Sequence, residues 1–251
     1  MRKIERMVIT FLILLLGTYS EGFVISEAKF EELSSMVSDM STGDRIAFWA
    51  ESFVGTPYDP DPVGEYVRKG VIVADERVDC MYTTFRSVEL AFSNNYSDAV
   101  ANALNTRFLT HGRLDADGNV LNYEERYQYG IDMILSGKFG RNVTREIASP
   151  VSVKGERGIE RVDIIAKKSA LTNADKLRSG DIIFFVKDPS KRKVGEIIGH
   201  IGIVSVHEGG IFLIHASGNK NGNGEVKRVA LGNYIDSMPF TGIMVTRFDT
   251  K

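Results

Sequence analysis

The stretch HIGIVSVHEGGIFLIHAS, residues 200–217, consists of two apolar, β-branched runs joined by HEGG. Such runs around a short glycine-containing connection predict an antiparallel β-hairpin. With HEGG as a four-residue loop, the pairing places Gly202 opposite His215. His200 and His215 then lie on one face as diagonal neighbours, roughly 7–8 Å apart at the backbone. A two-residue loop keeps this shared face, whereas a three-residue loop breaks it.

The segments around this hairpin predict an α+β fold. Residues 26–40, with Ser26 as a cap, and residues 42–55, closed by Gly55, have the periodicity of helices. Beyond Pro150 the pattern changes to six short strands separated by turn residues. Helices followed by strands predict an α+β domain rather than alternating α/β units. The six runs are RVDIIAKK, GDIIFFVK, HIGIVSVH, IFLIHAS, VKRVAL and FTGIMVTRF, at residues 161–168, 180–187, 200–207, 211–217, 226–231 and 240–248.

The only cysteine of the 251-residue chain, Cys80, lies between a predicted short strand at residues 71–78 and a predicted helix. Asp79 would cap that helix, which extends to about Ser93. First-turn N–H groups and the positive end of a helix lower a thiol pKa and can stabilise an oxyanion. A nucleophile also needs a base and a group that orients the base, and the two hairpin histidines supply both. Considered alone, Cys80 is better explained as a small buried hydrophobe, since free cysteine is among the most buried residue types.

Other chemistries have less support. Cys80, His200 and His215 could supply three zinc ligands, but the chain has no second cysteine and no H-x-x-x-H pair. His111 and His207 lie in turn-like contexts and are assigned structural roles. The formal net charge of −2 gives no basic surface for nucleic acid or for an anionic membrane.

The N-terminal segment MRKIERMVITFLILLLGTYS, residues 1–20, has the layout of a secretory signal peptide. Cations precede an apolar run from Met7 to Leu16, which is too short to span a bilayer as a mature helix. We therefore expect cleavage near Ser20, a single mature domain over residues 21–251 with no membrane span, and export to the periplasm or cell envelope. An uncleaved anchor is the alternative.

Five short motifs follow one another along the chain, namely GTPY, VDC, GDIIFF, GHIGIV and LIHAS, at residues 55–58, 78–80, 180–185, 199–204 and 213–217. Together and in this order they resemble the NlpC-type superfamily of papain-like cell-wall cysteine peptidases. The longer segments FVGTPYDPDPVGE, VDCMYTTFRSVELA and TGIMVTRF are similar to one branch, the N-acetylmuramoyl-L-alanine amidase-like family. The resemblance covers residues 45–248. It implies a papain-like fold with N-terminal helices, in which a nucleophile at a helix N-terminus packs on an antiparallel β-sheet.

The resemblance also implies residue roles. Cys80 would be the nucleophile, His200 the general base and acid, and His215 the residue that orients His200. Tyr58 and Asp79 would lie in the substrate groove. The substrate would be peptidoglycan or released muropeptides, cleaved at the N-acetylmuramoyl-L-alanine amide bond without a metal or organic cofactor.

Two alternatives stay open at this point. One keeps the three catalytic residues and moves the cleaved bond to the γ-D-glutamyl linkage. The other is a non-catalytic envelope binding protein that retains the groove. Met81 departs from the motif, which usually has a small or hydroxyl residue directly after the cysteine.

Overall fold

The structure is a computed structural model that describes residues 25–60, 75–219 and 223–249. The predicted signal peptide lies outside the described residues, and so does the first half of the strand predicted at residues 71–78. The prediction is wrong for residues 75–77, which form a turn and a bend. The last residue of that strand, Val78, forms an isolated parallel bridge with Tyr58.

Helices fill the N-terminal half of the described chain and strands the C-terminal half, which confirms the predicted α+β class. The helices are α1 (Glu27–Met36), α2 (Thr42–Ser52), α3 (Cys80–Ala91), α4 (Tyr96–Thr106), α5 (Gly130–Ser136), α6 (Thr144–Ile147), α7 (Lys167–Thr172) and α8 (Leu231–Ser237). The strands are β1 (Arg141–Asn142), β2 (Val151–Lys154), β3 (Arg161–Ala166), β4 (Ile182–Lys187), β5 (Ile198–His207), β6 (Gly210–Gly218), β7 (Gly224–Ala230) and β8 (Phe240–Arg247).

The helix starts follow local capping rules. The side chain of Ser26 accepts a hydrogen bond from the Lys29 amide at 3.2 Å, and Asp79 accepts one from the Tyr82 amide at 2.6 Å. Both predicted caps are therefore confirmed, because these side chains satisfy N–H groups that have no partner within the first turn. Helix α2 ends at Ser52, and Gly55 then takes a φ of 91°, which glycine adopts without strain.

The sheet is antiparallel throughout, with strand order β2-β3-β8-β4-β5-β6-β7, and β1 pairs with β8 outside this path. All six strands predicted from the sequence are present. The two strands that the pattern did not predict, β1 and β2, have the sequences RN and VSVK, and most of their side chains are exposed. Two to four exposed residues carry too little alternation of apolar and polar side chains to indicate a strand.

The hairpin of β5 and β6 has the predicted register, with Val206 opposite Ile211. Its loop is shorter than the four residues considered above, because His207 also pairs with Gly210 and only residues 208–209 are left to turn. Both loop lengths are even and conserve the register, so the same side chains face the same side of the sheet.

Two hydrophobic cores lie on opposite faces of the sheet. Along β4, Ile182, Phe184 and Val186 belong to the core shared with the N-terminal helices, whereas Ile183 and Phe185 belong to the core covered by α7 and α8. This separation follows from the two-residue side-chain period of a strand. The side chains of β5 that lie on the same side of the sheet as Phe185 therefore face α8.

Candidate active site

Cys80 is the first residue of α3 and is half-buried, with a free thiol. Backbone and side-chain hydrogen bonds fix this end of the helix. The Thr84 hydroxyl donates to the Cys80 carbonyl at 2.8 Å, and the Thr83 hydroxyl donates to the Asp79 carbonyl at 2.7 Å. The predicted position of the cysteine at a helix N-terminus is therefore confirmed.

The thiol of Cys80 is set against strand β5. The backbone N–H groups of Ile201 and of Cys80 itself act on the thiol and lower its pKa. Burial and the neighbouring Asp79 carboxylate act in the opposite direction and prevail, raising the pKa of Cys80 to about 12. The sequence-based expectation of a lowered pKa is thus wrong for the ligand-free protein, because loss of hydration outweighs the helix N-terminus.

A β-bulge in β5 orients the side chain of His200, the residue before Ile201. Phe185 pairs with His200, but the next residue of β4 pairs with Ile198, so Gly199 is an extra residue that forms a β-bulge. A bulge bends its strand and redirects the adjacent side chains. A side chain at Gly199 would meet that of Lys187 at 2.5 Å, so the bulge is closely packed.

The two histidines meet as the hairpin register predicts. His200 Nε2 lies 2.9 Å from His215 Nδ1, and the ring planes are nearly perpendicular, at 89°. At this distance one ring nitrogen donates and the other accepts, so the two tautomers are coupled. The predicted shared face is therefore confirmed by a direct hydrogen bond.

Both imidazoles favour the neutral form. Burial lowers the pKa of His200 to about 3, with a smaller contribution from His215. Burial also lowers the pKa of His215 to about 4, and the Lys227 ammonium on β7 adds to the effect. At pH 7 the site therefore contains a neutral thiol and two neutral imidazoles.

Tyr58 reaches the site from the loop after α2. Residues 55–58 run along the edge of β7, where the Tyr58 amide donates to the Gly224 carbonyl at 2.8 Å and the Val226 amide donates to the Thr56 carbonyl at 2.9 Å. Burial, followed by the charges of Cys80 and Asp79, raises the pKa of Tyr58 to about 12. The structure thus brings all five residues proposed from the sequence into one neighbourhood.

Met81, the residue that departs from the motif, is half-buried and packs against the core on the helical side of the sheet. His207 lies on the other side of the hairpin, where its Nε2 is 2.8 Å from the Ser205 hydroxyl and 3.1 Å from Glu51 Oε1. It joins β5 to α2, which agrees with the structural role assigned to it. His111 is exposed.

The sequence motifs do not single out Tyr234, which α8 places beside both catalytic candidates on the sheet. Its ring centroid lies 4.6 Å from that of His215 and 5.9 Å from that of His200. Burial and the Cys80 charge raise its pKa well above the usual value. The only sequence signal is a tyrosine in the short segment between two predicted strands, which indicates no contact with His215 or His200, 19 and 34 positions away.

The described part of the chain lacks two features, a metal-binding cluster and a membrane-spanning helix. Over residues 25–60, 75–219 and 223–249, no three His, Cys, Asp or Glu side chains form a group that could hold a metal ion. In the same part of the chain, no helix combines the length and apolar character needed to cross a membrane.

Comparison with known proteins relates the fold to that of amidases. The chain matches no family model and no curated protein sequence. A crystal structure of an N-acetylmuramoyl-L-alanine amidase from Bacteroides uniformis superimposes with a TM-score of 0.64 at 17% identity, over 84% of this chain and 99% of that one. A Legionella pneumophila protein of the DUF1460 family superimposes with a TM-score of 0.70 at 16% identity, over 90% of this chain and 95% of that one.

These likenesses define the class of the fold, an α+β fold similar to that of a cell-wall amidase. At such identities they establish the fold alone, and residue roles have to be argued from the site itself.

Proposed function

We propose that this protein is a cysteine amidase that hydrolyses an amide bond of peptidoglycan or muropeptides, namely the N-acetylmuramoyl-L-alanine bond. One observation carries the proposal. The backbone N–H of Ile201, the residue directly after His200, acts on the Cys80 thiol, and His200 is hydrogen-bonded to His215 at 2.9 Å. This is the order of nucleophile, base and orienting group that a cysteine hydrolase requires. The fold similarity to an amidase supports the same reaction class.

The hydrogen bond between the imidazoles couples their tautomers. In the proposed mechanism His200 Nε2–H donates to His215 Nδ1, so His215 carries its own proton on Nε2. His200 Nδ1 is then unprotonated and available to accept the thiol proton. His215 holds the His200 ring in this tautomer, as the third member of a catalytic triad does.

Acylation begins from the neutral thiol and the neutral imidazole. As the sulfur of Cys80 attacks the lactyl carbonyl carbon, its proton passes to His200 and negative charge develops on the carbonyl oxygen. Backbone N–H groups that include that of Cys80 stabilise this oxyanion. The His200 imidazolium then donates its proton to the leaving amine of L-alanine, the C–N bond breaks, and a thioester is left on Cys80.

Deacylation uses the same residues in reverse. His200 takes a proton from water, the hydroxide attacks the thioester carbonyl, and the sulfur leaves to be reprotonated by His200. The products are a muramic acid with a free lactyl carboxylate and an intact stem peptide. No metal or organic cofactor takes part in these steps.

The proposal extends to the groove and to location. Tyr58 and Asp79 lie beside the nucleophile, where they would contact the substrate, and the high pKa of Tyr58 keeps its phenol protonated as a donor. The papain-like domain over residues 21–251 would act in the periplasm or cell envelope after removal of residues 1–20. The resemblance of the motifs and the layout of the N-terminal segment support these two points.

Digestion of defined muropeptides followed by mass spectrometry tests the function. The proposal expects muramic acid bearing a free lactyl group together with intact stem peptide, and loss of both products in Cys80→Ala. A sugar that retains an L-Ala-D-Glu dipeptide would instead assign the γ-D-glutamyl bond. Equal turnover by Cys80→Ala and wild type would exclude the cysteine mechanism, and binding without turnover in the wild type would indicate a non-catalytic envelope protein.

A further inference from the structure

Tyr234 and Phe185 enclose the two imidazoles on one face of the sheet. The Tyr234 ring lies 4.6 Å from His215 and 5.9 Å from His200 between centroids, and it meets Phe185 edge-on at 5.1 Å. Phe185 in turn lies 6.0 Å from His200. These separations are those of packed aromatic pairs, so each imidazole has an aromatic neighbour that limits its rotation.

This packing also removes water from the histidines. His215 is only 4% exposed, and His200 is half-buried. The aromatic ring of Tyr234 makes these contacts with both imidazoles. A dry environment penalises the charged imidazolium, in agreement with the lowered pKa of both residues.

We propose that Tyr234 is a positioning residue whose ring holds His200 and His215 against each other and shields them from water, which keeps both imidazoles uncharged in mildly acidic solution. The kinetic consequence rests on the proposed amidase function, whereas the titration of the histidines does not. The role is distinct from that of Cys80, since Tyr234 acts through the imidazoles rather than on the scissile bond.

The charged and titratable groups around the imidazoles come from several elements. His200 faces His215 from β6 and Tyr234 from α8. His215 also faces Lys227 from β7. The Cys80 thiol lies near the amide of Ile201, the residue after His200, and the charges of Asp79 and Glu196 act on that thiol. The ammonium of Lys227 disfavours an imidazolium even when the ring of Tyr234 is removed. We therefore expect Tyr234→Ala to restore the solution pKa of about 6.5 only in part.

Histidine titration by NMR provides a test that needs no substrate. The chain has four histidines, so His111→Gln and His207→Gln leave the signals of His200 and His215. In this background Tyr234→Ala should raise the pKa of at least one of them by one unit or more, and Tyr234→Phe should leave both unchanged. If Tyr234→Ala does not fold, Tyr234→Gln takes its place with the same expected shift, because a hydrated amide replaces the ring.

The second measurement is the pH profile of kcat/KM on muropeptides. If the pKa of His200 rises to about 6, about a quarter of this base is neutral at pH 5.5, so Tyr234→Ala should lose about fourfold at pH 5.5 relative to its own rate at pH 8. Tyr123→Ala, whose ring contacts Arg126 rather than a histidine, is the control and should keep the wild-type profile. Wild-type titration of both histidines in Tyr234→Ala, or an equal shift in Tyr234→Phe, would overturn the proposal. If the histidine pKa shifts in Tyr234→Ala but the wild-type protein has no amidase activity, the result would support the positioning role of Tyr234 and contradict the proposed amidase function.

Discussion

Gly218 lies directly against the ring of Tyr58, and a Cβ atom built on Gly218 would be 2.0 Å from Tyr58 Cδ1. No real Cβ approaches another atom so closely, so the ring and a side chain at residue 218 exclude each other. The absence of a side chain at the end of β6 therefore decides where Tyr58 lies. A substitution at Gly218 would displace the ring of Tyr58 and so change the surroundings of Cys80, because the charge of Cys80 acts on the phenol of Tyr58.

Gly218→Ala is expected to displace Tyr58 and lower kcat/KM on muropeptides about tenfold or more, since misplacing a substrate-contacting group by about an ångström can cost up to a hundredfold. Gly209→Ala is the matched control, because the nearest atom to its new Cβ is 3.9 Å away. The control should retain wild-type kinetics. Equal kcat/KM for Gly218→Ala and wild type would show that the position of Tyr58 has no effect on turnover.

His215→Gln is expected to lower kcat about a hundredfold or more with little change in KM, because His200 loses the partner that fixes its tautomer. His207→Gln changes the other histidine of the same hairpin and should retain activity, since His207 contacts Ser205 and Glu51 instead. Steady-state kinetics on a muropeptide substrate measures both. A loss in His207→Gln equal to that in His215→Gln would assign the effect to the hairpin rather than to the imidazole pair.

The thiol of Cys80 is expected to be protonated in the ligand-free protein at neutral pH. Its pKa is raised to about 12, so the thiolate fraction, and with it alkylation by iodoacetamide, should keep rising from pH 7 to pH 10. A preformed thiolate would instead react at a constant rate between pH 5 and pH 8. Because Cys80 is the only cysteine, mass spectrometry of the whole chain follows this reaction without interference.

The role of His200 is tested by the same reaction. If His200 accepts the thiol proton, His200→Ala should slow alkylation at pH 7 severalfold, while His111→Ala should not change it. Equal alkylation rates in His200→Ala and wild type would contradict the assignment of His200 as the base.

Glu89 is expected to be important for stability. It lies on α3, is fully buried, and accepts two hydrogen bonds of 2.7 Å from the Arg107 guanidinium. Glu89→Gln removes a buried carboxylate that Arg107 contacts at 2.7 Å and Arg86 at 3.8 Å, so the free energy of unfolding should fall by about 3–5 kcal/mol in urea denaturation. Glu32→Gln removes the partner of Lys29 in an exposed pair on α1 and should leave the unfolding midpoint unchanged. A wild-type midpoint for Glu89→Gln would show that the buried network does not stabilise the fold.

Local chemistry was enough to predict most of the framework. Ser26 and Asp79 cap the helices that they were expected to cap, and all six β-branched runs form strands. The shared face of His200 and His215 was also predictable, since it follows from the two-residue period of a hairpin whose loop has an even length. These features share one cause, namely that each is set by residues close together along the chain or by a register that one turn fixes.

Other features of the site depend on neighbours that are distant in sequence. The β-bulge at Gly199 arises from the pairing of β4 with β5, and Tyr234 reaches the histidines only because α8 packs on that face of the sheet. The position of Tyr58 likewise depends on Gly218, about 160 residues away. None of these contacts has a periodicity from which it could be predicted, although the GTPY motif implied by resemblance that Tyr58 lies in the groove.

The sequence by itself determined the helix caps, the strands, the hairpin register and the set of residues from which a cysteine site could be built. Only the tertiary structure decided the protonation of that site. The helix N-terminus of Cys80 predicts a lowered thiol pKa, whereas burial and Asp79 raise it to about 12 and burial holds His200 neutral. The physical reason is that hydration depends on everything packed around a group, and in this site its loss outweighs the dipole of one helix turn.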